Sequence, residues 1–366
     1  MKGWIAAGAL ALAASTLAAP AAAQVPAFYP ADYAKIVDAA KKEGRLIIYS
    51  TTDAASAQPL LADFKALYPE ITVDYNDLSS AELYNRIISE KAAGQPSADF
   101  AWTSGMDTGV RLAADGFAAT YASPEIPKLP QWAVWKNAAY GTTFEPLVFM
   151  YNKRLIPEGS VPQSHAELVK VVQEKPDVFK GRVTTYDPSR TLGLMLNVYD
   201  SVNNPKFFDD LRALGAAGMR IDASSGSMME KVGSGEYVLA WNVIGSYVPP
   251  RMAKNPAIGM VYPKDYTLVL SRIAFVSETA KNPNAARLFL DYLLSQRGQE
   301  IIAGKANLYS LRDDVKGANT ASAVKEQIGA SVIRPIPIGQ DMLDRVMDTD
   351  KRVAFLKEFQ EALRAK

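Results

Sequence analysis

The chain has 366 residues, with 40 basic and 39 acidic side chains, no cysteine and one histidine. This charge balance argues against the basic surface that nucleic acids require and against a polybasic attachment to anionic membranes. Without cysteine there are no disulfides, thiolate nucleophiles, cysteine-ligated zinc sites or cysteine-linked lipid anchors. A Ser-His-Asp triad would have to use His165, and no Gly-x-Ser-x-Gly motif accompanies it.

The first 23 residues have the pattern of a cleavable secretory signal peptide. Lys2 provides the positive start, residues 5–19 are apolar, and Ala21-Ala22-Ala23 forms a small-residue cleavage site. The apolar stretch is shorter than the roughly 20 residues that a membrane span needs, so an uncleaved anchor is the weaker alternative. We therefore expect an exported protein that works in the periplasm without a lipid anchor. The chain from residue 24 onward is long enough for two domains.

After the signal, helices and strands alternate. The predicted helices cover 32–43, 54–67 and 79–93, and the predicted strands cover 45–50, 71–75 and 98–103. The strand over 45–50, RLIIYS, is apolar through its centre, as in a parallel strand buried on both faces. The first and third strands break into polar loops before the next helix. This order is typical of a doubly wound α/β layer.

Two long extended stretches, 142–152 and 266–276, flank a second α/β block. The segment after the second stretch is rich in helices and poor in strands, so it needs the first sheet to pack on. We therefore predict a discontinuous fold in which lobe one comprises 24–147 and 271–366 and lobe two comprises 148–270. Two sequential domains with a boundary near Pro162 are the alternative.

Polar residues follow the carboxyl ends of the predicted strands, where ligands bind in open α/β sheets. Helix N-termini at such places offer free N–H groups and a partial positive charge, which favour anions. Small hydroxyl side chains let those amides approach a ligand, and Arg190 in DPSRTLG offers a planar fork for phosphate or carboxylate. The candidate ligand-binding residues are Ser50, Thr51, Thr52, Asp53, Ser104, Asp107, Thr143, Glu145, Ser189, Arg190, Thr191, Ser225, Asn242 and Tyr247.

These residues also have simpler interpretations. Asp53 and Thr191 suit helix caps or first helical turns, and Arg190 suits a solvated first-turn side chain. Asp53, Asp107 and Glu145 could supply a carboxylate pair of the kind that hydrolyses glycosides. No P-loop motif is present, so nucleotide hydrolysis is not supported.

The order of several motifs resembles that of periplasmic solute-binding proteins of ATP-binding cassette (ABC) importers, extracellular solute-binding family 1. The motifs are LIIYSTTD, ADFAWTSGMD, EPLVFMYNKRL, DPSRTLGL, GSGEYVLAWNVIGSY and AARLFLDYLLSQRGQEIIA, and they cover most of the chain after the signal. The chain is most similar to the branch of ferric-ion-binding proteins and their relatives for sugar phosphates and phosphonates. The resemblance implies the type II periplasmic-binding-protein fold, with two doubly wound α/β lobes joined by extended hinges.

The resemblance also implies binding without catalysis. We expect a small polar anion, such as an organophosphate, phosphonate or carboxylate, to bind between lobes that close on it. Delivery to an ABC permease in the inner membrane would be transient. We further expect a monomer with no cofactor, no metal and no nucleic-acid partner. The alternatives are a ferric-ion-binding protein, a periplasmic sensor for a signalling receptor and, with less support, a secreted hydrolase.

The ferric ligands of the family do not carry over to this sequence. The family's pattern has a histidine after strand one, a glutamate after strand three and paired tyrosines after a lobe-two strand. The positions here that match this pattern are at or near Asp53, Gly105 and Val243-Ile244. Val and Ile have no oxygen donor for hard Fe(III). Tyr247 is the nearest phenol, so ferric ion stays an alternative.

Overall fold

The computed structural model describes residues 26–157 and 159–364, and the predicted signal peptide lies outside them. The helices are α1 Ala34–Glu43, α2 Ala54–Leu67, α3 Ser80–Ala92, α4 Met106–Ala114, α5 His165–Glu174, α6 Pro176–Phe179, α7 Thr191–Asn203, α8 Phe207–Ala216, α9 Ser225–Ser234, α10 Val248–Lys254, α11 Pro283–Leu294, α12 Gln296–Gly304, α13 Ala321–Ile328, α14 Gln340–Met342 and α15 Thr349–Arg364. The strands are β1 Arg45–Ser50, β2 Thr72–Asp77, β3 Phe100–Thr103, β4 Val134–Trp135, β5 Ala139–Gly141, β6 Glu145–Asn152, β7 Val183–Tyr186, β8 Arg220–Asp222, β9 Leu239–Ile244, β10 Ile258–Val261, β11 Thr267–Leu270, β12 Ile273–Val276 and β13 Ile333–Pro335.

The strands form two mixed sheets. The first has the order β2-β1-β3-β12-β5-β4, in which β1 is parallel to β2 and β3 while β12 is antiparallel to β3. The second has the order β13-β11-β6-β9-β7-β8, with β10 also paired to β6. Helices pack on both sheets and bury apolar clusters against them. The predicted two-lobed α/β fold is confirmed.

Local sequence signals set the ends of these elements. Gly44 ends α1 with a left-handed φ of 66°, which glycine adopts without steric cost. Ser79 starts α3 with a reciprocal capping box. In lobe one, the ring of Phe289 meets those of Phe64 and Phe100 edge to face, at centroid distances of 5.1 and 5.2 Å. These contacts hold α2 and α11 against the first sheet.

The chain passes between the sheets at two places. Residues 142–144 join β5 of the first sheet to β6 of the second, and Ser271 and Arg272 join β11 of the second to β12 of the first. The two passages are bonded to each other. The Thr142 N–H donates to the Arg272 carbonyl oxygen at 2.9 Å, and the Arg272 N–H donates to Thr143 Oγ1 at 3.0 Å. Each predicted extended stretch thus contains one change of sheet.

Parts of the carboxyl-terminal segment pack on the second sheet, which departs from part of the predicted division. We expected residues 271–366 to complete lobe one, and α11 does pack on α1 there. However, β13 pairs with β11, and α15 packs on α8. Phe359 of α15 lies in one buried cluster with Phe207 and Trp241 of lobe two. The apolar face of a helix shows that it must be buried but not against which sheet. The other predicted lobe boundaries stay predictions.

Candidate functional site

A cavity of about 1080 Å³ lies between the two lobes. Lobe one contributes the starts of α2, α3 and α4 to its lining, and lobe two contributes the starts of α7 and α9. These helix starts direct N–H groups and partial positive charge toward one volume. The cavity is therefore the candidate ligand site.

The polar part of the lobe-one wall includes small hydroxyl residues and one carboxylate. Asp53 precedes α2, and its side chain does not cap the helix. Ser104 precedes α4, and its N–H donates to Thr51 Oγ1 at 2.6 Å, which ties together the loops after β1 and β3. Ser79 and Ser80 line the cavity at the start of α3. This wall offers hydroxyls, amides and a negative charge.

The lobe-two wall includes the loop before α7. Arg190 is the N-cap residue of α7, its side chain is 62% exposed, and its Nε lies 4.0 Å from Asp187 Oδ2. Gly193 permits the close packing of this loop, because a Cβ there would lie 2.0 Å from the Asp187 carbonyl oxygen. Ser225 starts α9, and its hydroxyl is hydrogen-bonded to that of Tyr186. An arginine so exposed and loosely paired is able to turn toward a bound anion.

The two walls differ in charge. Among the described residues that line the cavity, the cations are Arg190, Arg251 and Lys254, all from lobe two. The acidic residue in the same lining is Asp53, from lobe one. The positive wall adds to the helix N-termini in favouring an anionic ligand.

A buried arginine beside the cavity contacts residues of both lobes. The Arg272 side chain is 1% exposed, and its Nε donates to Glu145 Oε1 at 2.9 Å. Its Nη1 donates to Thr52 Oγ1 at 3.1 Å and its Nη2 to the Tyr247 hydroxyl at 2.9 Å. Burial by itself lowers the pKa of Arg272, but Tyr247 and Glu145 raise it, and the net pKa lies above its ordinary value. The guanidinium therefore stays charged.

The structure brings some of the predicted ligand residues to the cavity and leaves others away from it. Those that line it are Asp53, Ser104, Arg190, Thr191, Ser225 and Tyr247. Those that do not line it are Ser50, Thr51, Thr52, Asp107, Thr143, Glu145, Ser189 and Asn242. Of the second group, Ser189 is exposed, and the others are buried or half-buried and form part of the framework of the cleft.

Several of these framework residues surround Arg272. Thr52 and Glu145 accept from its guanidinium, and Thr143 Oγ1 accepts from its main-chain N–H. Ser50 is fully buried and accepts from the Thr52 N–H at 3.0 Å. Since Glu145 is also fully buried, its carboxylate serves the arginine rather than a solute in the cavity.

The other framework residues lie further away. Asp107 is buried on α4, and burial raises its pKa to about 6. Asn242 has a φ of 62° and donates its side-chain amide to the buried Asp200 carboxylate. Ser189 is exposed outside the lining. Of the carboxylates considered for glycoside hydrolysis, Asp53 reaches the cavity while Asp107 and Glu145 do not, so the pair is not assembled there.

Sequence reasoning missed Arg272, Tyr186, Arg251 and Lys254. A signal for Arg272 was available, because a single arginine interrupts the apolar run YTLVLSRIAFV and a buried cation requires partners. Arg251 and Lys254 lie in the last turn of α10. Cations are common there because they stabilise the helix C-terminus, so their position alone does not indicate a ligand.

The part of the chain that the structure describes shows no metal site and no membrane-spanning helix, and its histidine is buried. His165 is buried, its Nδ1 lies 2.9 Å from Asp265 Oδ1, and its ring stacks on that of Tyr266. Within residues 26–157 and 159–364, no group of three or more His, Cys, Asp or Glu side chains is placed to hold a metal ion. Among the described helices, none is both long enough and apolar enough for a membrane span.

Residues 49–300 match the family model of bacterial extracellular solute-binding proteins. The chain belongs to this family. Among solved structures, it is 35% identical to the substrate-binding protein of an ABC transporter from Agrobacterium tumefaciens, with a TM-score of 0.78 and coverage of 87% of this chain and 94% of that chain. No curated protein matches the chain.

Two more distant structures share the fold. Iron-bound HitA from Pseudomonas aeruginosa is 20% identical, with a TM-score of 0.67 over 87% of this chain and 99% of that chain. AfuA from Actinobacillus pleuropneumoniae, with fructose 6-phosphate bound, is 18% identical, with a TM-score of 0.66 over 88% and 99%. At these identities the likeness shows the fold alone.

Proposed function

We propose that this solute-binding protein captures a small solute bearing an oxyanion, such as an organophosphate, phosphonate or carboxylate, between its lobes. The observation that carries the proposal is the lobe-two wall, where Arg190, Arg251 and Lys254 line the same cavity as the starts of α7 and α9. Helix N-termini and a forked guanidinium suit a desolvated oxyanion better than an isolated lysine does. The protein binds this solute and does not convert it.

In this proposal, each wall binds a different part of the ligand. Arg190 and the first amides of α7 bind the oxyanion. Asp53 and Ser104 on the opposite wall bind hydroxyls or an amine on the rest of the solute. Closure of the lobes about the two sheet passages brings these groups together.

Delivery of the solute to an ABC permease in the inner membrane is the second part of the proposal. It is supported by the family and by the Agrobacterium protein, which is described as the substrate-binding protein of an ABC transporter. The protein would act as a periplasmic monomer. Deletion of the gene should abolish uptake of the radiolabelled ligand, whereas unchanged uptake with loss of a transcriptional response would favour the sensor.

Ferric ion is the second candidate ligand, because Tyr186 and Tyr247 both line the cavity. Phenolates bind Fe(III) well. However, burial raises the pKa of Tyr186 above its ordinary value, and its hydroxyl is bonded to Ser225. The Tyr247 hydroxyl accepts from the cationic Arg272 at 2.9 Å. A guanidinium at this distance opposes the approach of a trivalent cation.

A thermal-shift screen followed by calorimetry tests the ligand class. The screen should contain inorganic phosphate, fructose 6-phosphate, 2-aminoethylphosphonate, citrate and ferric nitrilotriacetate, with glucose and putrescine as neutral and cationic controls. We expect a phosphorylated, phosphonate or carboxylate solute to raise the melting temperature and to compact the particle in small-angle scattering. Stabilisation by glucose, putrescine or ferric ion alone would contradict the proposal.

A further inference from the structure

We propose that Arg272 is a positioning residue that ties the two walls of the cleft together, so that one guanidinium sets the spacing of the lobes. The inference rests on the cleft being the ligand site of the proposed function, but not on the charge of the ligand. Arg272 itself does not line the cavity.

The location of Arg272 gives it access to both lobes. It lies in the passage between β11 of the second sheet and β12 of the first. Its main chain is hydrogen-bonded to Thr142 and Thr143 in the other passage. Its backbone is therefore part of the hinge, while its side chain points to groups on either side of it.

The three nitrogens of the guanidinium have partners in different parts of the fold. Nη1 donates to Thr52, which follows β1 in lobe one, and Nη2 donates to Tyr247, which follows β9 in lobe two. Nε donates to Glu145 at the start of β6, just after the other passage. A planar guanidinium can direct bonds to three sites at fixed angles, which a lysine ammonium on a flexible stem cannot reproduce.

Rotation of the lobes would break this arrangement. Separation of Thr52 from Tyr247 removes one partner from a cation that is 1% exposed, and an unpaired buried charge is costly. The network therefore favours the spacing seen here. Because the Tyr247 ring lines the cavity, the same bond also fixes part of the ligand wall.

Arg312 provides a matched control. It is 2% exposed and paired to the buried Glu125, with Nη1 to Oε2 at 2.5 Å, and it also binds Asp314 and the Leu294 carbonyl oxygen. All of these partners lie in segments assigned to lobe one. Arg312 thus resembles Arg272 in burial and pairing without connecting the lobes.

The test measures the distance between the lobes in the free protein. Since the chain has no cysteine, Lys42→Cys in α1 and Gln173→Cys in α5, both exposed, accept spin labels at unique sites. Double electron–electron resonance then gives the interlobe distance distribution without any ligand. Thr52→Val, Tyr247→Phe and Arg272→Lys are compared with Arg312→Lys and with Thr52→Ser, which keeps the hydroxyl.

We expect Thr52→Val and Tyr247→Phe each to raise the population at longer distances about tenfold, as loss of a hydrogen bond to a charged group predicts. Arg272→Lys should do so more strongly, while Arg312→Lys and Thr52→Ser should keep the original distribution. If Arg272→Lys does not fold, Thr52→Val and Tyr247→Phe still test the inference. An unchanged distribution in both of them, or an equal change in Arg312→Lys, would overturn the inference.

Titration with inorganic phosphate, in the same labelled proteins, separates the two proposals. Failure of phosphate and of every other anion to bind would contradict the proposed ligand class. The interlobe distances in the free protein would still test whether Arg272 ties the lobes together. Weaker phosphate binding in Thr52→Val than in Arg312→Lys supports the positioning role, because Thr52 does not line the cavity.

Discussion

The two walls of the cleft are alike in architecture and opposite in charge. Both contain helix starts that follow strands, with serine or threonine at the junctions. Within the described lining, lobe two carries Arg190, Arg251 and Lys254, whereas lobe one carries Asp53. The shared architecture follows from the fold, and the difference in charge is specific to this sequence. In the proposed function, lobe two binds the anion and lobe one selects among anions through the rest of the solute.

The largest expected effect is on lobe two. Arg190→Ala should weaken binding of the best organic anion in the screen by about thirtyfold or more, because a charge-assisted bond to a desolvated anion is lost. The melting temperature of the free protein should change little, since the side chain is 62% exposed. Calorimetry measures the affinity. Arg212→Ala, an exposed arginine of α8 outside the cavity, is the control, and equal losses in both variants would contradict the assignment.

Unlike the two walls of the cleft, the cores of the two lobes should behave alike, because each core contains a buried acidic side chain. In lobe one, Asp291 accepts from Tyr33, Tyr121 and Ser123, and burial raises its pKa to about 7. In lobe two, burial raises the pKa of Asp200 to about 6.

An acid with a raised pKa binds its proton more tightly in the folded state. Its contribution to the free energy of unfolding is therefore fully present below the unfolded pKa and is lost as the pH rises through the folded pKa. Stability should thus fall between about pH 4 and 7, from the ordinary pKa of an aspartate to the raised values, with a slope of at most about 1.4 kcal/mol per pH unit for each acid. Urea denaturation of Asp291→Asn should give a flatter profile. A slope equal to that of the wild type would show that Asp291 does not titrate in this range.

A smaller effect is expected on the lobe-one wall. If Asp53 binds hydroxyls or an amine of the solute, Asp53→Asn should weaken binding of an organic anion by about fivefold, the loss of one hydrogen bond. Inorganic phosphate has no carbon-bound hydroxyl and no amine, so its affinity should fall less than that of the organic anion. Calorimetry with both ligands measures the ratio. A parallel loss for both would remove the selective role of lobe one.

The smallest effect concerns salt. Because the lobe-two wall attracts anions through partly exposed side chains, raising the ionic strength from 0.05 to 0.5 M should slow association severalfold, by an order-of-magnitude estimate. Stopped-flow fluorescence can measure the rate. The dependence should become weaker in Arg251→Ala and stay unchanged in Arg212→Ala. A rate that does not respond to salt would mean that the positive wall does not steer the ligand.

Much of the fold could be predicted from the sequence because its signals are local. Gly44, the cap at Ser79 and the apolar centre of β1 each depend on neighbouring residues. The loops at Asp53 and Arg190 reach the cleft because polar residues at strand ends meet at one edge of a sheet.

The rest could not be predicted because it depends on contacts between distant residues. Thr52 and Arg272 are 220 positions apart, and nothing near either one indicates the other. Thr143 and Glu145 were predicted to bind the ligand, and the sequence did not show that they bind a buried arginine instead. The packing of α15 on lobe two likewise cannot be predicted from the local sequence pattern of that helix.

The exchange of strands between the sheets also determines the order in which the molecule can be completed. The first sheet begins with β1 and lacks its central strand β12 until residue 276 has arrived, and the second lacks β13 and the cover of α15 until nearly the last residue. A chain that emerges from its amino end therefore cannot finish either lobe early. Delay of this kind suits a polypeptide threaded through a narrow pore, since early folding on the near side would block its passage.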